Sequence, residues 1–475
     1  MPLSILLACA GPRDAELPSS YDAHPEVSAD ATLGEATDGA ASELEAGHSR
    51  HDRPLDDATS DAELDASLSA DATALDSGDP AAPVTGPVLY PAGLRHSPIT
   101  EDLAANLRAI AARVPSNVEA VFAKVGDSIT ESTSFLHCFA GTRVDLASNS
   151  ALTGTLDFFR GGDAAGTSPF SRVSLAAAIG WSARAAITGT STPLDRELDA
   201  IQPRYGIVMF GTNDVEYRPL ESFARDMVVI VDRMIEAGVV PLLSSIPPRD
   251  DDAAADANVL MFNLVLRAIA QGRAIPFVDY HLELEALPAH GLAGDGVHPS
   301  SYSGGSCILT LAGLAHGANV RNLITLEQLD RARRALVSEL APDTQVQRLR
   351  GAGTRASPFE LDLLPFATLG NTLTSFERTL NRYSCAAQDE SGPEVYYRLS
   401  LTRPARLTAA VESMNGVDVD LHLLDSSASE SGCLARDNRQ LVVDLEAGTY
   451  FLVADTFVSS GTERAGEFAF FTHAE

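Results

Sequence analysis

The chain has 475 residues and a formal net charge of -31, too long for one ordinary domain and too acidic to seek nucleic acid or anionic lipid headgroups through charge. None of its five cysteines forms a Cys-x-x-Cys pair, which argues against a cysteine zinc site. No apolar run approaches the ~20 residues that span a bilayer.

In chain order, a short apolar start (1–9) is followed by an acidic stretch, 10–85, rich in Ala, Asp, Ser, Glu and Thr. Residues 1–80 carry 18 acids against 3 arginines, a net of -15. Such a segment buries too little apolar surface to offset its ordering entropy and is expected to be a disordered, self-repelling tether. From 86 to 345 short apolar runs alternate with amphipathic ones. Residues 118–126, 205–211, 239–247 and 274–280 read as buried strands rich in Val, Ile and Phe. Residues 193–201, 219–238 and 257–272 read as helices, the second stopped by Gly238. This alternation predicts an α/β domain, a parallel sheet with helices on both faces. Residues 346–381 are expected to be a linker. From 382 to 475 short alternating segments separated by turn residues predict an all-β sandwich module.

An open parallel sheet binds ligands beyond the carboxyl ends of its strands. After the first strand stands Gly126-Asp127-Ser128. After the second stands Gly211-Thr212-Asn213-Asp214. After the last comes a loop with Asp295-Gly296-Val297-His298-Pro299. Each is ordinary turn material alone, but in this order on one rim their chemistries complement one another. A serine hydroxyl needs a base to become a nucleophile, and His298 can serve. An imidazole needs a carboxylate on its other nitrogen, and Asp295 is three residues away. The side-chain amide of Asn213 and the backbone N–H of Ser128 are candidate donors to an oxyanion. Asp127 reads as structural and Asp214 as a loop brace. His137, His281, His290 and His316 read as surface or supporting residues, and Trp181 as a packing residue.

These three blocks together resemble the SGNH hydrolase superfamily, the GDSL-type esterases and lipases, over about 120–320. The resemblance implies a flavodoxin-like three-layer α/β/α catalytic domain. It implies Ser128 as nucleophile, Asp295 and His298 as acid and base, and an oxyanion hole from Ser128, Asn213 and a glycine. Ile129 replaces the leucine of the GDSL name. For the glycine, Gly180 is preferred because a small-residue apolar run leads into it, with Gly162 as the fallback. The implied activity is an exported serine esterase acting on short-chain or acetyl esters, without metal or organic cofactor. A lipase or lysophospholipase is the alternative, and an inactive surface carbohydrate-binding protein the rival from another class. The substrate is a small-molecule, lipid or polysaccharide acyl ester, and the protein is expected to act as a monomer.

Leu6-Leu7-Ala8-Cys9 resembles a bacterial lipobox, which would lipidate Cys9 and place the protein at the cell envelope. The leader departs from that pattern, with no Lys or Arg before an apolar stretch shorter than the ~7–15 residues of a signal peptide. Cys138 follows the nucleophile loop and Cys307 the His298 loop. These loops must meet for the triad to work, so a Cys138–Cys307 disulfide is expected in an oxidising compartment. Cys385 and Cys433 are expected to pair within the β module. That module, with GPEVYYRLSL, VDVDLHLLD, CLARDN and AGTYFLVADTF, resembles the bacterial pre-peptidase C-terminal domain. On its strand 417–421, Asp418 and Asp420 share one face. With Asp437 or Asp455 they are candidate oxygen ligands for a structural Ca2+.

Overall fold

The computed structural model describes residues 86–475 apart from Phe376. Cys9 and the acidic stretch 10–85 lie outside the described residues.

Four parallel strands stand side by side in chain order: β1 (Val118–Gly126), β2 (Pro203–Met209), β3 (Val240–Ser244) and β4 (Phe277–Val278). Ala177 adds a parallel bridge to Gly126 on the outer side of β1. Counted as a rudimentary strand, it is second in the chain but first in the sheet, which gives the flavodoxin-like order 2-1-3-4-5. In such a sheet the ligand crevice lies where the strand order reverses, here past the carboxyl ends of β1 and β2. Every residue of β2 and β3 is buried, which is why these strands read as continuous apolar runs rather than alternating ones. Helices Glu101–Arg113, Thr153–Arg160 and Gly317–Leu336 pack together in one layer. Helices Pro193–Ile201, Leu220–Glu236 and Ala253–Gly272 form the other.

The helix expected at 193–201 has those bounds, and the one expected at 219–238 spans Leu220–Glu236. Gly238 follows the latter at φ +69°, and a Cβ there would lie 2.8 Å from the Val114 nitrogen, so only glycine suits the stop. The third helix starts earlier than expected, at Ala253, because the Asp252 carboxylate caps it by accepting from the N–H groups of Ala254 and Ala255. Ala253–Gly272 also corrects the reading that no run could span a bilayer. Its 20 residues, with a mean hydropathy of 1.4 over the most apolar window, meet the length and composition of a span. Its apolarity has another cause: it is a core helix buried between the parallel sheet and the β module. Gly317–Leu336 was not singled out from the sequence because buried Asn319, Arg321, Asn322, Thr325 and Gln328 interrupt its apolar period.

The C-terminal region is built from β5 (Phe359–Glu360), β6 (Phe366–Asn371), β7 (Glu394–Leu401), β8 (Ala405–Ser413), β9 (Val419–Leu424), β10 (Cys433–Asp437), β11 (Gln440–Leu445), β12 (Gly448–Thr456), the short pair β13 (Val458–Ser459) and β14 (Thr462–Glu463), and β15 (Glu467–Ala474). Two sheets, β10-β9-β12-β7-β5 and β11-β8-β15-β6, are antiparallel apart from the β5–β7 pair. Their facing residues, among them Tyr397, Leu421, Leu452, Val411 and Phe470, form one core. The first long strand, β6, falls inside 346–381, the segment expected to be a linker.

The module does not hang free of the α/β unit. Ala410, Ala469 and Phe471, on the outer face of the four-stranded sheet, join the core of the parallel sheet and its helices. Leu369 of β6 packs over Gly272, where a Cβ would come within 2.6 Å of it. Arg273 ties the seam electrostatically, bonded to Asp232 at 2.6 Å on one side and to Glu467 at 2.5 Å on the other.

Candidate active site

The turn that carries Ser128 is shaped by crowding. Gly126, the last residue of β1, donates to Ala176 O at 3.1 Å and accepts from Ala178 N at 3.3 Å. A Cβ on it would lie 2.5 Å from Met209 O and 2.3 Å from the Thr130 hydroxyl, so no other residue fits. Asp127 then caps the single helical turn Ser128–Glu131, its carboxylate accepting from Ile129 N at 3.0 Å. The strand must stop and turn here, and Ser128 is the first residue of the turn.

Three side chains meet in a relay. Ser128 Oγ lies 2.8 Å from His298 Nε2, and His298 Nδ1 lies 2.8 Å from Asp295 Oδ2. A carboxylate only accepts, so Nδ1 carries the proton and Nε2 accepts from the serine hydroxyl. The other Asp295 oxygen accepts from the backbone N–H groups of Val297 and His298 at 3.1 and 3.0 Å. Burial raises the Asp295 pKa, but these bonds, the His298 ring first among them, outweigh it and hold the carboxyl below its ordinary value.

The oxyanion candidates separate. Gly180 lies in the turn just beyond the Ala177–Gly126 bridge, at φ +75° with open space where a Cβ would stand. Asn213 begins the turn after β2, and its amide nitrogen donates to Trp181 O at 2.9 Å, holding the Gly180 turn beside it. One amide hydrogen does this, which leaves the second for a ligand. Asp214 braces the same neighbour by accepting from Ala183 N at 3.2 Å, so it steadies the adjacent loop rather than its own. The fallback, Gly162, sits elsewhere. A Cβ on it would strike Ala120 O at 2.0 Å, so it packs against the start of β1, about 20 Å of strand away from Ser128 at ~3.3 Å per residue.

Disulfides join Cys138 to Cys307 and Cys385 to Cys433, with Cα separations of 5.7 and 5.6 Å. The first ties the segment after Ser128 to the segment after His298. Helix Gly317–Leu336 supports the same region through residues that sequence reading missed. Asn322 donates to Ser134 O and Ser306 O at 2.9 and 3.0 Å. The buried Arg321 donates to Ile129 O at 2.5 Å and to the Thr130 hydroxyl at 2.8 Å. The only sequence signal for them is polar residues at positions a core helix should fill with apolar ones. Among the other histidines, His281 pairs with Glu285, His290 with Asp250, and His316 approaches Ser300. A small pocket of about 40 Å3 opens beside His298, lined by Ile129, Ser132, Phe135, Pro299 and Arg321 among others.

In the β module, Glu394 of β7, Asp455 of β12 and Asp420 of β9 stand directly opposite one another across three strands. The structure thus brings Asp420 and Asp455 together. Asp418 instead faces Arg464 at 3.7 Å, and Asp437 turns to the backbone N–H groups of Arg439 and Gln440.

Residues 125–302 match the model of the GDSL-like lipase/acylhydrolase family. Among solved structures, the chain is similar to a GDSL-like lipase from Bacteroides thetaiotaomicron at 14% identity, covering 48% of this chain and 99% of that one with a TM-score of 0.30. A catalytic mutant of an acetylxylan esterase from Geobacillus stearothermophilus matches at 17% identity, over 44% and 93% of the two chains, with a TM-score of 0.30. The pre-peptidase C-terminal domain of a collagenase from Bacillus anthracis matches at 11% identity, over 23% and 89%, with a TM-score of 0.16. No curated protein matches the chain.

Asp127 is wholly buried and its Oδ2 has no partner. Burial pushes its pKa up to about 6, against the pull of Arg321 and the Ile129 N–H. A raised pKa means that the folded chain favours the protonated acid. The stability gained is present below the ordinary carboxyl pKa and is lost as pH rises through about 6. Asp127→Asn keeps an acceptor for Ile129 and removes the charge. Urea unfolding is expected to show that the variant loses less stability than wild type between pH 4 and pH 7, by on the order of 1–3 kcal/mol. Identical losses would show that Asp127 does not titrate in this range.

Proposed function

Taking the GDSL-like lipase/acylhydrolase domain at 125–302 as the premise, we propose that this protein is an exported serine esterase that removes short acyl groups, chiefly acetyl, through an acyl-enzyme. The observation that carries this reading is the unbroken Ser128–His298–Asp295 relay at the crevice where the strand order reverses.

In the proposed cycle, Ser128 Oγ attacks the ester carbonyl as His298 Nε2 takes its proton, and Asp295 stabilises the imidazolium through Nδ1–H. The developing oxyanion is met by the free amide hydrogen of Asn213 and by the N–H groups of Ser128 and Gly180. The Ser128 N–H, at the start of a helical turn, has no acceptor within the helix. The imidazolium returns its proton to the departing alkoxide, leaving the acyl group on Ser128. Water, deprotonated by His298, then releases the acid and restores the serine.

The size of the adjacent pocket supports a short acyl group. About 40 Å3 beside His298 is room for about three water-sized atoms, the scale of a small acyl group. One observation favours lipid esters instead. Ile179 and Tyr217, on the two turns that carry Gly180 and Asn213, are 75% and 74% exposed and leave an apolar rim. Two disulfides support an extracytoplasmic location. Full-length protein is expected to hydrolyse p-nitrophenyl acetate faster than butyrate or octanoate, with Ser128→Ala inactive. Asn213→Ala should turn over about 10²–10³-fold more slowly. Preference for octanoate would move the reading to a lipase. Equal rates for Ser128→Ala and wild type would overturn the mechanism and favour a binding protein.

We also propose that the acids of the β module hold a structural Ca2+. Like charges directly opposite on neighbouring strands destabilise a sheet, and Glu394, Asp455 and Asp420 stand so with Glu390 beside them. Arg436 offsets part of this charge. Both Glu390 carboxylate oxygens, Glu394 Oε2 and Asp455 Oδ1 are buried without a hydrogen-bond partner, and oxygen is the ligand type that a hard cation takes. Adding Ca2+ to chelator-treated protein is expected to raise the melting temperature, and Asp455→Asn to abolish the rise. No change in the wild type on adding Ca2+ would sink this assignment.

A further inference from the structure

We propose that the turn Arg249–Asp252, which follows β3 and contains no catalytic side chain, is a tie bar that sets the spacing between the oxyanion turn and the acid–base loop. Arg249, Asp250 and His290 act in it as positioning residues. The inference rests on the serine esterase reading above.

One end holds the oxyanion turn. The Arg249 guanidinium is buried and donates to the backbone carbonyl of Thr212, the residue before Asn213. It also bonds Glu216 at 3.1 Å, in the helical turn that follows Asn213. Asp251 fixes the guanidinium from the opposite side through bonds of 2.7 and 2.9 Å. Five donors in a rigid plane let one arginine hold all three partners.

The other end holds the loop that carries Asp295 and His298. Asp250 N–H donates to Gly296 O at 2.9 Å. The Asp250 carboxylate pairs with His290 Nδ1 at 2.8 and 3.1 Å. The approach is close. Gly296 sits at φ +71°, and a Cβ there would stand 2.7 Å from Asp251 N. The acid–base loop also carries backbone strain where it is gripped. Ala289 and His290 are both left-handed, at φ 48° and 45°, a conformation that persists in non-glycine residues only where the surroundings impose it.

The bar itself is anchored. Asn263, within helix Ala253–Gly272, accepts from Ile246 N at 2.8 Å and donates to Ile246 O at 3.2 Å. Asp256, in the first turn of that helix, accepts from Arg249 N at 3.0 Å. Asp252 caps the helix. Side chains of Asp295 and His298 are about half exposed, at 51% and 45%, so burial does not hold them in place. Their register to Asn213 depends on what grips their loop, and a misplacement of ~1 Å in such a constellation costs up to about 10²-fold in rate.

The test uses full-length protein with p-nitrophenyl acetate, together with hydrogen exchange of segments 209–218 and 289–300. Arg249→Met and Asp250→Ala are expected to lower kcat about tenfold or more with KM little changed. Exchange should rise in 209–218 for the first variant and in 289–300 for the second. His290→Asn should keep near-wild-type kcat, because asparagine tolerates the left-handed backbone and its amide can donate to Asp250. His290→Gly should lower kcat without lowering the melting temperature, since glycine relieves the strain as it deletes the contact. A purely structural role would move activity and stability together. Should Arg249→Met not fold, Asp250→Ala and His290→Gly carry the test at the exposed half of the tie. Wild-type kcat and unchanged exchange in these variants would overturn it. Faster exchange in a protein whose wild type cleaves no ester would support the tie and overturn the esterase reading instead.

Discussion

The crowded end of β1 is the constraint on which the site depends. Gly126 is pressed between Met209 of β2 and the Thr130 hydroxyl, and its own N–H and carbonyl bond the segment that leads to Gly180. One backbone position therefore fixes three things: where the strand stops, how Ser128 leaves it, and how near the Gly180 turn lies. Burial of β2 and β3 on both faces makes the sheet a rigid base. Chemistry is left to turns at its rim, where side chains remain accessible.

Much of this was legible because the three blocks are local signals. Gly126-Asp127-Ser128, Gly211–Asp214 and Asp295–His298 each mark a strand end with residues whose chemistry is incomplete alone, and only their order makes them one site. The Cys138–Cys307 pairing followed from the same logic, since two loops that must meet bring their cysteines together. Other features were not legible, for reasons that are physical. Arg321 and Asn322 are polar residues buried in a helix, and each donates to a backbone carbonyl more than a hundred residues away, Ile129 O and Ser134 O. Nothing in local periodicity encodes such bonds. Arg249 and Asp250 carry no sequence signal, because their partners, Thr212 O and Gly296 O, are backbone atoms without a signature.

The β module shows the converse. Its alternating strands indicate a sandwich, yet nothing in strand Glu467–Ala474 marks that its outward residues Ala469 and Phe471 are covered as well. The structure gives them a second core, against helix Ala253–Gly272. The same packing accounts for the apolarity of that helix. The row Glu394–Asp455–Asp420 was half visible. The strand period marked Asp420, with Asp455 offered beside Asp437, but cross-strand register, which no single segment carries, selects Asp455 and adds Glu394.

The central claim is that Ser128 is the nucleophile. It is tested most directly by treating the full-length protein with diethyl p-nitrophenyl phosphate, weighing the intact chain and mapping the adduct by peptide mass. The relay of Ser128, His298 and Asp295 predicts a single diethylphosphoryl group on Ser128 and loss of labelling when His298 is replaced by alanine. A chain that stays unlabelled, or that carries the group on another residue, would contradict it.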